Sequence, residues 1–264
     1  MAQCSGLSSS VVGSSGSDGQ PALVLLHGYT QTGESWTPVL AHMPPAAALL
    51  PDAPGHGGSA SVRADMWTTA DMLAALVSRP CTWVGYSMGG RAALHVALAH
   101  PETVDRLVLV STSPGIADPV ARAQRVESDE RLAQRIEADG DAGLPRFLDE
   151  WLATPLFRAL PREAAGMSAR LANTASGLAS SLRLAGAGAQ DPLWARLGEL
   201  GQRQLPVLLV TGQLDSRYCG LARQMADAIG PLASTVIVAG AGHACHLEKP
   251  AEVAALVANF AGIV

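Results

Sequence analysis

Gly85-Tyr86-Ser87-Met88-Gly89-Gly90 joins an apolar run, Cys81 to Val84, to a stretch with helical apolar spacing, Gly89 to His100. A serine between small residues in a strand-to-helix turn is held outside its own backbone, because Gly85 and Gly89 carry no Cβ to crowd the turn. The hydroxyl then stands at a helix N-terminus, where the peptide dipole favours developing negative charge. Ser87 is the candidate reactive hydroxyl.

On both sides of this turn short apolar runs alternate with helical segments. The runs are Ala22 to Leu26, Ala47 to Leu50, Thr82 to Val84, Arg106 to Val110, Val207 to Val210 and Thr235 to Val238. Four or five residues apolar on both faces suit a parallel sheet covered by helices. Met66 to Ser78, Gly89 to His100, Leu221 to Ile229 and Ala251 to Phe260 have the spacing of helices with one buried face. The expected fold is α/β with a mostly parallel, doubly wound sheet. The alternation stops after Val110 and resumes at Leu205. Ser128 to Ala138, Leu144 to Leu152, Arg162 to Asn173 and Leu178 to Leu184 read as helices between glycine and proline breaks. The chain therefore divides into a core, residues 1–111 and 205–264, and a helical cap insertion, residues 112–204.

A serine hydroxyl needs a base and an acid to orient that base. Gly240-Ala241-Gly242-His243 follows the run Thr235 to Val238, and a glycine-rich loop there can bring an imidazole to Ser87. Asp215, after Val207 to Val210, is the expected orienting carboxylate. Both stand at C-terminal strand ends, where doubly wound sheets keep their sites. The other position for an acid, Ser111-Thr112-Ser113-Pro114, has no carboxylate before Asp118. His27-Gly28-Tyr29 ends the first strong run, so the backbone N–H groups of Tyr29 and Met88 are expected to form an oxyanion hole, with His27 supporting the loop. His56, in a turn-rich loop, reads as loop architecture.

Composition removes other classes of function. The 264 residues carry a net charge of −5 and 48% hydrophobic residues, which argues against nucleic acid as a partner and against extensive disorder. No apolar run reaches the length of a membrane span, and the Ser/Gly-rich start has neither the basic nor the apolar region of a signal peptide, so a cytoplasmic location is expected. Cys4, Cys81, Cys219 and Cys245 lack CxxC spacing and read as reduced thiols. His243, Cys245 and His246 crowd one loop with no second ligand cluster, so no metal is expected. Nothing calls for an obligate protein partner. The basic residues are 17 Arg and one Lys, and eleven of the Arg fall within residues 112–204.

These motifs resemble the α/β-hydrolase superfamily over nearly the whole chain. They comprise His27-Gly28 after a strand, the loop from Asp52 through Pro54-Gly55-His56-Gly57 to Ser59, the turn around Ser87, a helical insertion, and then Asp215 and His243. Within the insertion the chain is similar to the 2-succinyl-6-hydroxy-2,4-cyclohexadiene-1-carboxylate (SHCHC) synthases of menaquinone biosynthesis. The similar elements are Arg91 after the turn, Arg122 to Asp129, Glu150-Trp151 to Phe157, Arg170 to Asn173 with Gly177 to Ala179, and Gly186 to Trp194. The resemblance implies an α/β-hydrolase fold and a cofactor-free lyase that eliminates pyruvate from a substrate with three carboxylates. Arg91, Arg125 and Arg170 would bind that small polyanion, with Tyr86 and Trp151 lining the pocket. The same triad also serves carboxylesterases and thioesterases that form an acyl-enzyme, which is the alternative reading.

Overall fold

Seven strands form one sheet in the computed structural model, which describes residues 6–13 and 20–264; Cys4 lies outside the described residues. They are β1 (Ser9–Val12), β2 (Leu23–Leu26), β3 (Ala48–Pro51), β4 (Cys81–Tyr86), β5 (Val104–Val110), β6 (Val207–Gly212) and β7 (Ala233–Val238). Their spatial order is β1-β3-β2-β4-β5-β6-β7; β1 runs antiparallel to β3, and the other pairings are parallel. The six expected strands are all present. β1 was not foreseen, because its four residues are exposed and give no burial pattern to read.

The helices are α1 (Thr37–Leu40), α2 (Met66–Ala74), α3 (Met88–Ala99), α4 (Pro119–Asp139), α5 (Leu144–Leu152), α6 (Met167–Arg170), α7 (Ala175–Ala185), α8 (Leu197–Gln202), α9 (Ser216–Ile229), α10 (Cys245–Glu248) and α11 (Pro250–Ala261). Successive strand residues point to opposite faces, and the core divides accordingly. Val24, Trp83, Leu107, Leu109 and Leu209 pack with residues of α2, α3, α8 and α9. Leu23, Leu25, Val84, Val108 and Val210 pack on the other face with residues of α1, α10 and α11. Burial on both faces explains why these strands read as unbroken apolar runs.

Between β5 and β6 the described residues form helices and turns only. α4 begins nine residues earlier than its apolar spacing suggested, because the Asp118 carboxylate accepts the Ala121 N–H at 2.7 Å and Pro119 opens the helix. The expected helix Arg162 to Asn173 is broken. A 3-10 turn at Arg162–Ala164 is followed by Gly166 at φ 66° and then the four-residue α6. The insertion has its own small core, in which Ala133 and Ile136 of α4 meet Phe147 and Leu148 of α5 and Leu178 and Leu182 of α7.

Candidate active site

Ser87 sits between β4 and α3 at φ 51°, a left-handed conformation unusual for a residue with a side chain. The turn tolerates it because a Cβ on Gly85 would collide with the Gly89 carbonyl, and one on Gly89 with the Leu26 carbonyl. The Thr112 hydroxyl donates to the Ser87 carbonyl at 2.6 Å and fixes the turn from the end of β5.

His243 and Asp215 reach the same point. His243 Nε2 is 3.2 Å from Ser87 Oγ, and Nδ1 is 2.7 Å from Asp215 Oδ2. Asp215 Oδ1 also accepts the Tyr218 N–H at 3.4 Å, so the carboxylate caps α9 while orienting the imidazole. Glu248 holds the His243 loop by accepting the Gly242 N–H at 2.5 Å and the Ala244 N–H at 3.1 Å. Sequence reasoning missed that residue, although its place in the short helix after the histidine was a usable signal. The next histidine, His246, is buried and stacked between Trp36 and Tyr86, with ring centroids 4.9 and 4.1 Å away.

The backbone N–H groups of Tyr29 and Met88 have no acceptor among the described residues. Around Tyr29 the loop is densely bonded. Gly28 N–H donates to Gln31 Oε1 at 2.8 Å, and Ala53 N–H donates to His27 Nε2 at 2.9 Å. Thr30 N–H donates to His56 Nε2 at 3.3 Å. Since Nδ1 of each histidine faces a carbonyl, Gly28 O for His27 and Pro54 O for His56, both rings are neutral with the proton on Nδ1. Burial, reinforced by neighbouring His27, lowers the His56 pKa to about 3, and burial also lowers that of His27.

A cavity of about 580 Å³ opens over Ser87 and His243. Arg91, Arg125 and Trp151 line it, as the sequence suggested. Arg91 is buried, donates to Ala185 O at 2.8 Å and Gln190 Oε1 at 2.7 Å, and hydrogen-bonds no carboxylate among the described residues. Burial, with the neighbouring Arg125 charge, lowers its pKa to about 10, so it is cationic at neutral pH. Arg125 Nε donates to Asp129 Oδ1 at 2.8 Å. Asp129 is itself in the wall; its buried Oδ2 has no partner, and burial raises its pKa. Arg158 and Arg217 also line the cavity and were missed. Arg217 stands two residues after Asp215, which was a readable clue.

Tyr86 and Arg170 differ from the expectation: neither is among the cavity-lining residues. Tyr86 is the last residue of β4, and the alternation of that strand turns its ring into the core against His243 and His246, 5.4 and 4.1 Å between centroids. Arg170 is 1% exposed; its guanidinium bonds Ala165 O through Nε at 2.8 Å and the Thr30 hydroxyl through one terminal nitrogen. The short α6 after Gly166 directs this side chain behind the loop, where an unbroken helix would have had a different facing.

Residues 23–256 match the alpha/beta hydrolase family. A 2-succinyl-6-hydroxy-2,4-cyclohexadiene-1-carboxylate synthase of Pectobacterium atrosepticum is 36% identical over 91% of this chain and 94% of its own length. That of an Enterobacter species is 32% identical over 93% of both. The chain belongs to the SHCHC synthase family of alpha/beta hydrolases. The structure of MenH from S. aureus superposes with a TM-score of 0.86 at 27% identity, covering 96% of this chain and 97% of that one. The chain shares the SHCHC synthase fold through the insertion as well as the sheet, and it is an enzyme. Among the described residues no helix is long and apolar enough to cross a membrane. No group of three or more His, Cys, Asp or Glu among them could hold a metal ion.

Proposed function

We propose that this enzyme is a carbon–oxygen lyase that eliminates pyruvate from 2-succinyl-5-enolpyruvyl-6-hydroxy-3-cyclohexene-1-carboxylate, giving 2-succinyl-6-hydroxy-2,4-cyclohexadiene-1-carboxylate. The observation that carries this reading is Arg91, a buried guanidinium with only neutral partners in the same cavity as the serine–histidine–aspartate array. A buried cation whose hydrogen bonds go to neutral groups, with Asp129 acting on it through charge alone, is a site prepared for an anionic ligand. Arg125, anchored by Asp129, adds a second guanidinium, and Trp151 gives the ring an apolar wall. An ester or thioester without charge would leave these groups unused.

His243 Nε2 takes the Ser87 hydroxyl proton while Asp215 holds the imidazole and stabilises its charged form. Ser87 Oγ removes the proton α to the succinyl carbonyl, and the resulting enolate oxygen rests between the N–H groups of Tyr29 and Met88. As the carbonyl re-forms, the electron pair moves through the ring double bond and breaks the bond to the enolpyruvyl oxygen. The departing enolate takes the proton held by His243 and becomes pyruvate, so Ser87 and His243 return to their starting forms. No acyl-enzyme is formed and no cofactor is required. Residues 112–204 are the cap over a core made of residues 1–111 and 205–264. A small polyanionic carboxylate as partner and a cytoplasmic setting belong to the same reading.

The test is pyruvate release from the enolpyruvyl substrate, followed by coupling to lactate dehydrogenase. Purified protein should release one pyruvate per product formed. Absence of pyruvate with Ser87, His243 and Asp215 intact would remove the lyase reading.

A further inference from the structure

Thr30 follows Tyr29, whose N–H is one arm of the oxyanion hole in the function proposed above, and this inference rests on that assignment. Thr30 is fully buried at φ 67°, a left-handed conformation that a β-branched residue adopts only when its surroundings impose it. All three of its polar groups are held. The N–H donates to His56 Nε2 at 3.3 Å, the carbonyl accepts from Asn173 Nδ2 at 2.8 Å, and the hydroxyl accepts from Arg170.

Two of these three restraints come from the insertion. Asn173 is 4% exposed, and Nδ2 also donates to Arg170 O at 2.8 Å while Oδ1 accepts the Gly57 N–H at 2.9 Å. One amide thus joins the Thr30 loop, the Gly57 loop and the end of α6. Arg170 is fixed from behind by Ala165 O. Neither residue lines the cavity. The Tyr29 hydroxyl donates to Leu178 O of α7 at 3.3 Å, a further tie from the same side.

We propose that Asn173 and Arg170 are positioning residues: they hold Thr30 left-handed and so aim the Tyr29 N–H at the oxyanion, making the insertion part of the oxyanion hole. An N–H stabilises an oxyanion only when it is already directed at the place where the charge develops. Release of Thr30 to negative φ would rotate the peptide between Tyr29 and Thr30 and shift the loop carrying the donor. Arg170 would then act on the reaction through the loop, without touching a substrate carboxylate.

The probe is an uncharged mixed diester, an ethyl 4-nitrophenyl alkylphosphonate. Ser87 Oγ forms a bond to phosphorus, the bond to 4-nitrophenolate breaks, and His243 takes the serine proton while the phosphonyl oxygen occupies the oxyanion hole. The probe has no carboxylate, so loss of a carboxylate contact would leave its rate unchanged. Asn173→Ala and Arg170→Lys should each slow 4-nitrophenolate release at least tenfold. Both should lower kcat for pyruvate release by a similar factor and keep KM within about threefold, since removal of an oxyanion donor costs roughly 10²-fold. Asn173→Asp keeps the acceptor for Gly57 and loses the donor to Thr30, and it should behave as Asn173→Ala does. Phosphonylation of folded variants at the wild-type rate, with KM raised tenfold or more, would overturn the proposal and return Arg170 to substrate binding. If wild-type protein released no pyruvate, the lyase reading would fall while the phosphonate rates still judged the positioning role.

Discussion

Around Ser87 the sheet side of the site supplies atoms tied to strand ends. Ser87 follows β4, Asp215 follows β6, His243 follows β7, and each has a defined hydrogen-bond partner. The insertion between β5 and β6 is made of helices and short turns, and it faces the same cavity with guanidinium groups and Trp151. The first region fixes its reacting atoms at strand ends, because strands buried on both faces in a close-packed core resist displacement. The second has its own core, seats Phe157, Leu193, Leu197 and Leu200 in the cores of the sheet, and is tied to the loops of the first by bonds such as Asn173 to Thr30 and Tyr29 to Leu178. Proton transfer is thereby assigned to the strand ends, and recognition to guanidinium groups that the insertion supplies together with Arg91 of α3 and Arg217 of α9, which explains how one triad geometry can serve many reactions.

The largest expected effect tests the sheet side. Ser87→Ala should lower kcat for pyruvate release by on the order of 10⁴-fold or more, because the proton relay is lost as a unit. Its Tm should stay close to that of the wild type, since the change removes one hydroxyl and leaves the Cβ and the backbone of the turn as they are. A variant retaining a tenth of the rate would show that the serine is not in the proton path.

Next are the guanidinium groups. Arg91→Ala should lower kcat/KM by roughly 10²-fold, the range for a hydrogen bond to a charged group left unmade, and Arg125→Ala by about tenfold because Arg125 is partly exposed. Hydrolysis of an uncharged p-nitrophenyl ester should change little in either variant. Equal losses on ester and enolpyruvyl substrate would mean that these arginines support the triad, and the division of labour would fail.

The sheet side was the legible one. A run such as Leu23–Leu26 is apolar because both its faces are buried, and the order of Ser87, Asp215 and His243 along the chain is a constraint of the turns that carry them. The insertion was legible only in part. Apolar spacing found α5 with its boundaries, but it could not tell that Gly166 would interrupt the chain before Arg170, and the facing of a four-residue helix is set by the turn that precedes it. Arg158 and Arg217 were lost among other arginines because a count of charges holds no direction. β1 was hidden for the opposite reason: Val11 and Val12 are exposed on an edge strand, so their pairing is a backbone matter that leaves no side-chain pattern.

Acid should separate the two regions as well. Burial lowers the pKa of His56 to about 3 and that of His95 to about 4, while none of the seven histidines falls within residues 112–204. Below about pH 6.5 the unfolded chain binds protons that these buried rings refuse. Their contribution is complete above pH 6.5 and is lost as pH falls toward 4, by up to about 1.4 kcal/mol per pH unit for each ring. Thermal melts between pH 7 and pH 5 should show Tm falling with pH, and His95→Gln should flatten the slope. An unchanged slope in that variant would place the acid sensitivity elsewhere.

The smallest effect is expected where the insertion carries its densest charge. Arg183 of α7 bonds Glu130 at 2.7 and 3.1 Å and Glu137 at 2.7 and 2.8 Å, pairing α7 with α4 on the outer surface. Hydrogen bonds to both carboxylates raise the Arg183 pKa, yet the groups are open to solvent, where screening and side-chain entropy cancel most of what the geometry suggests. Arg183→Ala should lower Tm by less than about 3 °C and leave KM and kcat within about twofold. This small change tests whether the Arg-rich insertion recognises its substrate by contact or by field. If the insertion drew in a polyanion through its summed charge, removing one guanidinium outside the cavity would raise KM at low ionic strength, and added salt would abolish the difference. An unchanged KM at both ionic strengths means that recognition is confined to the guanidinium groups lining the cavity.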